Sequence, residues 1–305
     1  MNPSIRYVDR RDIDIVKWDR CVNEATNGLI YAYSYYLDKM SPQWHGLVMD
    51  DYESVMPLTW NKKYGFFYLY QPPFTASLGI FGKQLNDDKI NAFIRAIPNQ
   101  YRLVEIDMNY GNNLLLPSNL FKIRSNYTLD LIRPYSVISG NYRDNIKRNI
   151  RKAEQLNCRY ATDIPIDDVI ALSKMQMQKI SNLSTDDYRR FKDLFEHLQQ
   201  KQMAITCGVY TTANELVASC VYFFSHNRAY YIMVGNHPNG KTIGASHYLI
   251  DRFIFEHSEK PILLDFEGSD ISNLAFFYSS YGAVIESYPA LRINRLPWWA
   301  KLLKR

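Results

Sequence analysis

Residues 228–294 constrain the fold more than any other stretch, because strand, turn and helix signals follow one another there in a fixed succession. Arg228–Val234 is a run of β-favouring residues. Gly235-Asn-His-Pro-Asn-Gly-Lys-Thr242 then reads as a turn, Gly244–His257 as a helix and Ile262–Phe266 as a buried strand. Phe276–Gly282 is a second helical segment and Ala283–Asn294 a last strand. A strand that enters a helix through a glycine turn offers unpaired backbone N–H groups and the positive end of the helix to an anion. The expected ligand is therefore a phosphate-bearing small molecule, and the expected class is an enzyme.

Two readings of the turn compete. Gly235, Gly240, Lys241 and Thr242 fit the P-loop spacing, and Asp265 could serve as the carboxylate of a Mg²⁺ site. Against this, Pro238 removes a backbone donor where donors must converge on phosphate. Only 63 residues follow Thr242, which is short for the further parallel βα units of a nucleotide-hydrolysing sheet. An NTP-binding enzyme thus stays as an alternative. In the other reading, Lys241-Thr-Ile-Gly244-Ala-Ser246 and Phe277-Tyr278-Ser-Ser-Tyr281-Gly282 resemble two motifs of the GNAT superfamily of N-acyltransferases. The first departs from that pattern in its opening lysine and closing serine, and the second is followed by Ala283 where many members have phenylalanine.

The composition excludes several other classes. With 47% hydrophobic and 22% charged residues the chain is an ordinary globular one. No apolar run approaches the ~20 residues of a membrane span, and the N-terminal residues lack a secretory apolar core, so a cytoplasmic location is expected. Cysteines 21, 158, 207 and 220 form no C-x-x-C pair, and the 6 histidines show no ligand spacing, so no metal is expected. Cys207 and Cys220 fall in adjacent predicted strands, as small buried hydrophobes do. The 24 tyrosines suit half-buried strands, or a groove for a polar polymer or peptide.

The element order predicts an α+β fold in two domains. Residues 1–135 read as strand Ile5–Asp9, helix Arg11–Asn23, helix Tyr33–Met40, a hairpin over Trp44–Met49 and Glu53–Trp60, strand Gly65–Tyr70, helix Asp87–Ala96, and strands Arg102–Asp107 and Tyr127–Leu131. Residues 136–305 begin with helices over Ser139–Asn157, Asp167–Lys179 and Asp186–Lys201, followed by a hairpin of Met203–Tyr210 and Leu216–Ser225. Each half is expected to be a mixed, mostly antiparallel sheet flanked by helices, with the active site in the second.

The helix at 139–157 is unusually basic. Between Ser139 and Arg159 stand Arg143, Lys147, Arg148, Arg151, Lys152 and Arg159 against Asp144 and Glu154, a local +4 out of the chain's +5. Tyr142, Ile146, Ile150 and Ala153 share the face expected to meet the core. The basic face is either a solvated surface or a wall for an anion, the donor's phosphates or tRNA. A DNA-binding pattern is missing. Here the likeness sharpens: Asn145-Ile-Lys-Arg-Asn-Ile-Arg-Lys-Ala153, Gly244-Ala-Ser-His-Tyr-Leu249 and Leu264-Asp-Phe-Glu-Gly-Ser269 resemble blocks of tandem-GNAT proteins related to the Fem-type peptidyltransferases. Gln71-Pro-Pro-Phe74 is the anchor of the likeness in the first half.

That resemblance implies two GNAT-like domains and transfer of an acyl or aminoacyl group to an amine. The donor it implies is acyl-CoA or aminoacyl-tRNA, and the acceptor a small molecule or peptide such as a cell-envelope precursor. Tyr278 stands where Fem-type relatives often have lysine, which favours acyl-CoA, since tyrosine in GNAT enzymes protonates a departing thiolate. By the same likeness Lys241, Gly244, Ala245 and Ser246, with Arg148 and Arg151, are the expected donor-binding residues. Asp265 and Glu267 alternate around Phe266 at a strand end, so either could take the amine's proton, or else serve in an ion pair. A non-catalytic scaffold of the same fold is the remaining alternative. The tail Leu296-Pro-Trp-Trp-Ala-Lys-Leu-Leu-Lys-Arg305 has two expected outcomes: packing on the first domain with its tryptophans buried, which is favoured, or peripheral contact with the inner face of a membrane.

Overall fold

A computed structural model describes residues 4–113, 119–177, 183–268 and 270–301. The chain forms two compact units, Met1–Arg124 with Ser287–Arg305, and Ser125–Glu286. The ends of two predicted features, residues 178–179 of the 167–179 helix and residues 302–305 of the tail, lie outside the described residues. No helix among the described residues is long and apolar enough to cross a membrane.

The first unit runs β1 (Ile5–Asp9), α1 (Ile15–Glu24), α2 (Ser34–Met40), β2 (Trp44–Met49), β3 (Ser54–Lys63), β4 (Phe66–Leu69), β5 (Phe81–Gly82), α3 (Asp87–Ala96) and β6 (Tyr101–Asp107). Its strands lie in the order β1-β2-β3-β4-β6, with β5 beside β3. β3 changes partner along its length: Ser54–Thr59 pair with β2, and Trp60–Lys63 pair with β4. The predicted helix at 11–23 starts later, at Ile15, because the Asp14 side chain accepts from the N–H groups of Val16 and Lys17 and so caps it there. Trp18 on α1 is fully buried, and its indole N–H donates to the Ala32 carbonyl over 2.8 Å.

The second unit starts within β7 (Phe121–Asp130). It continues through α4 (Tyr135–Gly140), α5 (Asp144–Gln155), β8 (Arg159–Thr162), α6 (Ile166–Met177), α7 (Thr185–Gln200), β9 (Ala204–Tyr210), β10 (Leu216–Ser225) and β11 (Arg228–Asn236). Then come α8 (Pro238–Ile243), α9 (Ala245–His257), β12 (Leu263–Asp265) and α10 (Ser272–Ser279). β13 (Val284–Asn294) re-enters the first unit, where Ala290–Asn294 pair with β6, and α11 (Trp298–Lys301) follows. The second unit's strand order is β7-β12-β11-β10-β9-β8, antiparallel except for β11 with β12.

Alternation along β10 places a helical layer on each side of this sheet. Tyr222 stacks on Phe253 of α9, and its neighbour Phe223 stacks on Phe191 of α7. Ile146, Ile150 and Ala153 of α5, together with Tyr142, join the core on the α9 side, as their spacing predicts. Cys207 and Cys220 sit opposite each other in β9 and β10, both buried and free.

Two elements depart from the sequence expectation. The single helix at 139–157 is two helices, since Tyr142 turns into the core and the Arg143 N–H is taken by the Ser280 carbonyl at 2.9 Å. The segment 235–242 is no open loop: β11 runs to Asn236 and α8 begins at Pro238, with His237 as its cap. Thr242 donates back to the Asn239 carbonyl at 2.7 Å, and Gly240 is buried. The P-loop spacing therefore falls on a helical turn beside a mostly antiparallel sheet, which does not wrap a phosphate as a P-loop does.

One buried ion cluster ties the middle of the second sheet together. Arg228 of β11 donates to Asp265 of β12 at 2.8 Å and to Glu286 of β13 at 2.5 and 3.0 Å. Asn126 of β7 donates to Asp265 at 2.8 Å. Arg228 and Asp265 side chains are each only 7% exposed. Burial alone would lower the arginine's pKa, but the Asp265 and Glu286 charges outweigh it and the pKa is raised. Removing one partner of such a cluster strands the others in a dry environment. Arg228→Leu is expected to cost ~3–5 kcal/mol in chemical denaturation, and a loss below ~1 kcal/mol, the scale of an exposed pair, would show that the cluster does not hold the sheet.

Candidate active site

The site grows from the way β11 leaves its parallel neighbour. Arg228–Tyr230 pair with Leu263–Asp265, and there the pairing ends while β11 continues to Asn236. On its other edge Val221 faces Ile232 and Ser219 faces Gly235, so Met233 and Val234 share the single partner Cys220. This is a bulge, and Met233 takes the left-handed φ of 48° that such an extra residue allows. A bulge frees backbone groups from the ladder beside the point where the strands part.

After β12 the chain turns sharply at Glu267 and Gly268, with φ of 63° and 87°. The Glu267 N–H donates to Asp265 Oδ1 at 2.9 Å and the Gly268 N–H to Asn126 Oδ1 at 2.5 Å. Asp265 thus accepts from Arg228, Asn126 and the Glu267 backbone. Its carboxylate is paired with Arg228 and bonds the turn. Glu267, by contrast, is surrounded by groups that desolvate it, and its pKa is raised well above the ordinary carboxylate value. Tyr278 of α10 is 8% exposed and stacks on Phe266, with ring centroids 4.6 Å apart. Burial first, and the nearby Glu267 charge second, push its pKa up. The fold therefore brings Glu267 and Tyr278 together and ties Asp265 to the Glu267 backbone.

The predicted donor-binding residues gather around the start of α9. Gly244 caps this helix with a left-handed φ of 80° and, having no side chain, makes no side-chain capping hydrogen bond. A Cβ on Gly244 would strike the Asn149 carbonyl of α5, so glycine is required by both conformation and space. At the other end of the connection, a Cβ on Gly235 would lie 2.7 Å from the Ser173 nitrogen of α6. Ser246 hydrogen-bonds the Asn236 side chain and so fastens α9 to the end of β11. Ala245 is buried, while Lys241 of α8 is exposed. Arg148 and Arg151 are exposed on α5, flanking the Asn149 that Gly244 touches. They line an open groove of about 620 Å³ with Lys147, Lys152, Asp144 and Gln155. His247, one turn into α9, is held neutral, its pKa pushed down to about 4 by burial.

Sequence reasoning missed Arg228, Asn126, Glu286, Asn236 and the Met233 bulge. Each acts through a partner distant in the chain, and no local pattern marks it.

Comparisons with known proteins agree with this architecture. Residues 140–264 match the family described as acetyltransferase (GNAT) domain. No curated protein sequence matches the chain. Among solved structures, FemX superposes with a TM-score of 0.65 at 11% identity, over 96% of this chain and 99% of that one. A conserved protein of unknown function from Bacteroides thetaiotaomicron gives 0.58 at 14% identity, over 94% and 99%. The C-terminal domain of a putative lysylphosphatidylglycerol synthetase from Agrobacterium fabrum gives 0.56 at 7% identity, over 95% and 94%. The fold is an α+β GNAT fold similar to that of FemX, and the likeness covers 96% of the chain.

The raised pKa of Glu267 makes stability depend on pH. Its folded pKa lies above its unfolded value, so its contribution is complete below the ordinary carboxylate range and is lost as pH rises through the folded pKa. Glu267→Gln is expected to be more stable than the wild type at neutral pH, with the difference closing as the pH falls to about 4. Urea denaturation across that range measures it, and a difference independent of pH would mean that Glu267 ionises freely.

Proposed function

We propose that the protein is an N-acyltransferase that moves an acyl group from a phosphate-bearing donor, acyl-CoA, to the amine of an acceptor such as a cell-envelope precursor. The observation that carries this reading is the parting of β11 and β12 beyond Tyr230 and Asp265, beside the bulge at Met233, the half-buried Glu267 and the buried Tyr278. Attack by an amine on a carbonyl requires a proton acceptor, a partner for the oxyanion and a proton for the leaving group. Glu267 takes the amine's proton, directly or through water, and its raised pKa makes it a stronger base once ionised. A backbone N–H freed at the Met233–Val234 bulge meets the developing oxyanion. Tyr278, kept protonated by its raised pKa, gives its proton to the departing thiolate. Asp265 orients the Glu267 turn and exchanges no proton.

The residues present fit a phosphate-bearing donor. The end of α9 has no side-chain cap; the Gly244 N–H is taken by the Gly240 carbonyl, and the next backbone donors of the first turn, at Ala245 and Ser246, are the ones proposed to meet a pyrophosphate. Lys241, Arg148 and Arg151 supply positive charge nearby. The exposed basic groove along α5 favours a second reading, aminoacyl-tRNA as donor, because a row of cations is what a nucleic-acid backbone requires.

Melting purified protein with acyl-CoA, with aminoacyl-tRNA and with Mg-ATP separates these donors. A true donor at a hundredfold excess over its dissociation constant stabilises the native state by ~2.7 kcal/mol. With that donor, Tyr278→Phe is expected to lower turnover about 10²-fold with a smaller change in KM, because the hydroxyl acts on the leaving group. Lys241→Ala is expected to weaken donor binding up to about fivefold without loss of stability, the range of an exposed charge contact. Stabilisation without turnover would assign the chain to binding alone, and wild-type turnover in Tyr278→Phe would reduce that residue to packing.

A further inference from the structure

The first unit displays an aromatic and basic patch that the proposed reaction does not use. β3 and β4 are joined by the two residues Tyr64 and Gly65, both left-handed with φ of 50° and 85°, a tight turn that suits the twist of a hairpin. Tyrosine adopts this conformation reluctantly, and packing does not demand it, since Tyr64 is 76% exposed. Phe66, two residues on, meets Trp299 of α11 with ring centroids 5.8 Å apart. Trp298 and Trp299 remain 78% and 50% exposed, whereas Trp18 and Trp44 of the same unit are 0% and 2% exposed. The expectation of buried tail tryptophans is therefore not met, although Trp299 does touch its own unit.

Lysines sit over two of the tip's rings. Lys62 Nζ lies 5.0 Å from the centre of the Phe67 ring and Lys63 Nζ 5.4 Å from that of Tyr64. Among the described residues neither lysine forms an ion pair. No acidic residue occurs between Glu53 and Asp87, or after Glu286. Ammonium groups held over aromatic rings set positive charge beside apolar surface, the pairing found at the boundary between acyl chains and headgroups. Anionic lipid adds attraction for each lysine held close to the surface.

We infer that the β3–β4 tip, which carries Lys63 and Phe66 on one face of the hairpin, Lys62 on the other and Tyr64 at its end, forms together with Trp298 and Trp299 a docking surface that enters the interface of an anionic lipid bilayer tip first. Exposed tryptophan and tyrosine rings enter the headgroup layer, and the two lysines select negative charge. The contact is peripheral and reversible, because a patch of this size anchors weakly compared with a spanning helix.

Flotation of the full chain with vesicles of phosphatidylcholine, alone or mixed with phosphatidylglycerol, tests the inference. The wild type is expected to float with the mixed vesicles and to stay soluble with the neutral ones, and to be released by raising salt to about 0.5 M. Trp298→Ala with Trp299→Ala is expected to lower partitioning about tenfold or more. Lys62→Glu with Lys63→Glu is expected to do the same through charge. Quenching of tryptophan fluorescence by bromine-labelled lipid should fall in the lysine variant in proportion to its lost binding and be abolished in the double tryptophan variant even where that variant still floats, and circular dichroism of each variant establishes that it is folded. Three results would overturn the inference. They are recovery of the wild type in the soluble fraction with both vesicle types, unchanged flotation of the tryptophan variant, and a concentration-dependent dimer in sedimentation that the tryptophan variant abolishes, which would make the patch a contact between copies.

Discussion

The ion cluster of Arg228, Asp265, Glu286 and Asn126 is the constraint on which the second unit's site depends. It gathers residues of β7, β11, β12 and β13 at the point where the parallel pair ends. Charges buried to this degree are not a source of large net stability, because desolvation offsets most of their attraction. What the cluster makes costly is its own disruption, because losing one member leaves the remaining charges buried without a partner. The sharp turn at Glu267 and Gly268 inherits its conformation from the same groups, through Asp265 and Asn126.

This division of labour separates two carboxylates that are only two residues apart. Asp265 has a cation and two further donors around it, while Glu267 is raised by desolvation. The alternation of a strand places both on one side, but the turn that follows β12 breaks the alternation and sends them to different surroundings. Phe266 between them stacks on Tyr278 and meets Tyr231 edge-on at 6.0 Å, so the aromatic layer also fixes where the α10 tyrosine stands.

What could be read from the residues was what local chemistry controls. The hairpin of β9 and β10 and the helix Asp87–Ala96 announce themselves through period, caps and turn residues, and the structure has them. The core face of α5 was legible for the same reason. The break between α4 and α5 was not, because it arises where the Arg143 N–H bonds Ser280, far along the chain. The helical turn of α8 was hidden by its glycine and proline, which mark loops more often than first turns. The partner of Asp265 was invisible, since Arg228 lies 37 positions before it and Asn126 lies 139 before it.

The two glycines that bound the connection from β11 to α9 have a kinetic corollary. Gly235 is pressed against α6 and Gly244 against α5, so the segment between them is clamped at both ends by backbone contacts. A loop held in this way has little slack to lose when a ligand arrives. Association then costs little ordering entropy and need not wait for a rearrangement. If the proposed anionic donor binds at this helix end, its encounter should accordingly run at the rate set by diffusion and by the field of the basic helix beside it, with ionic strength as its main control.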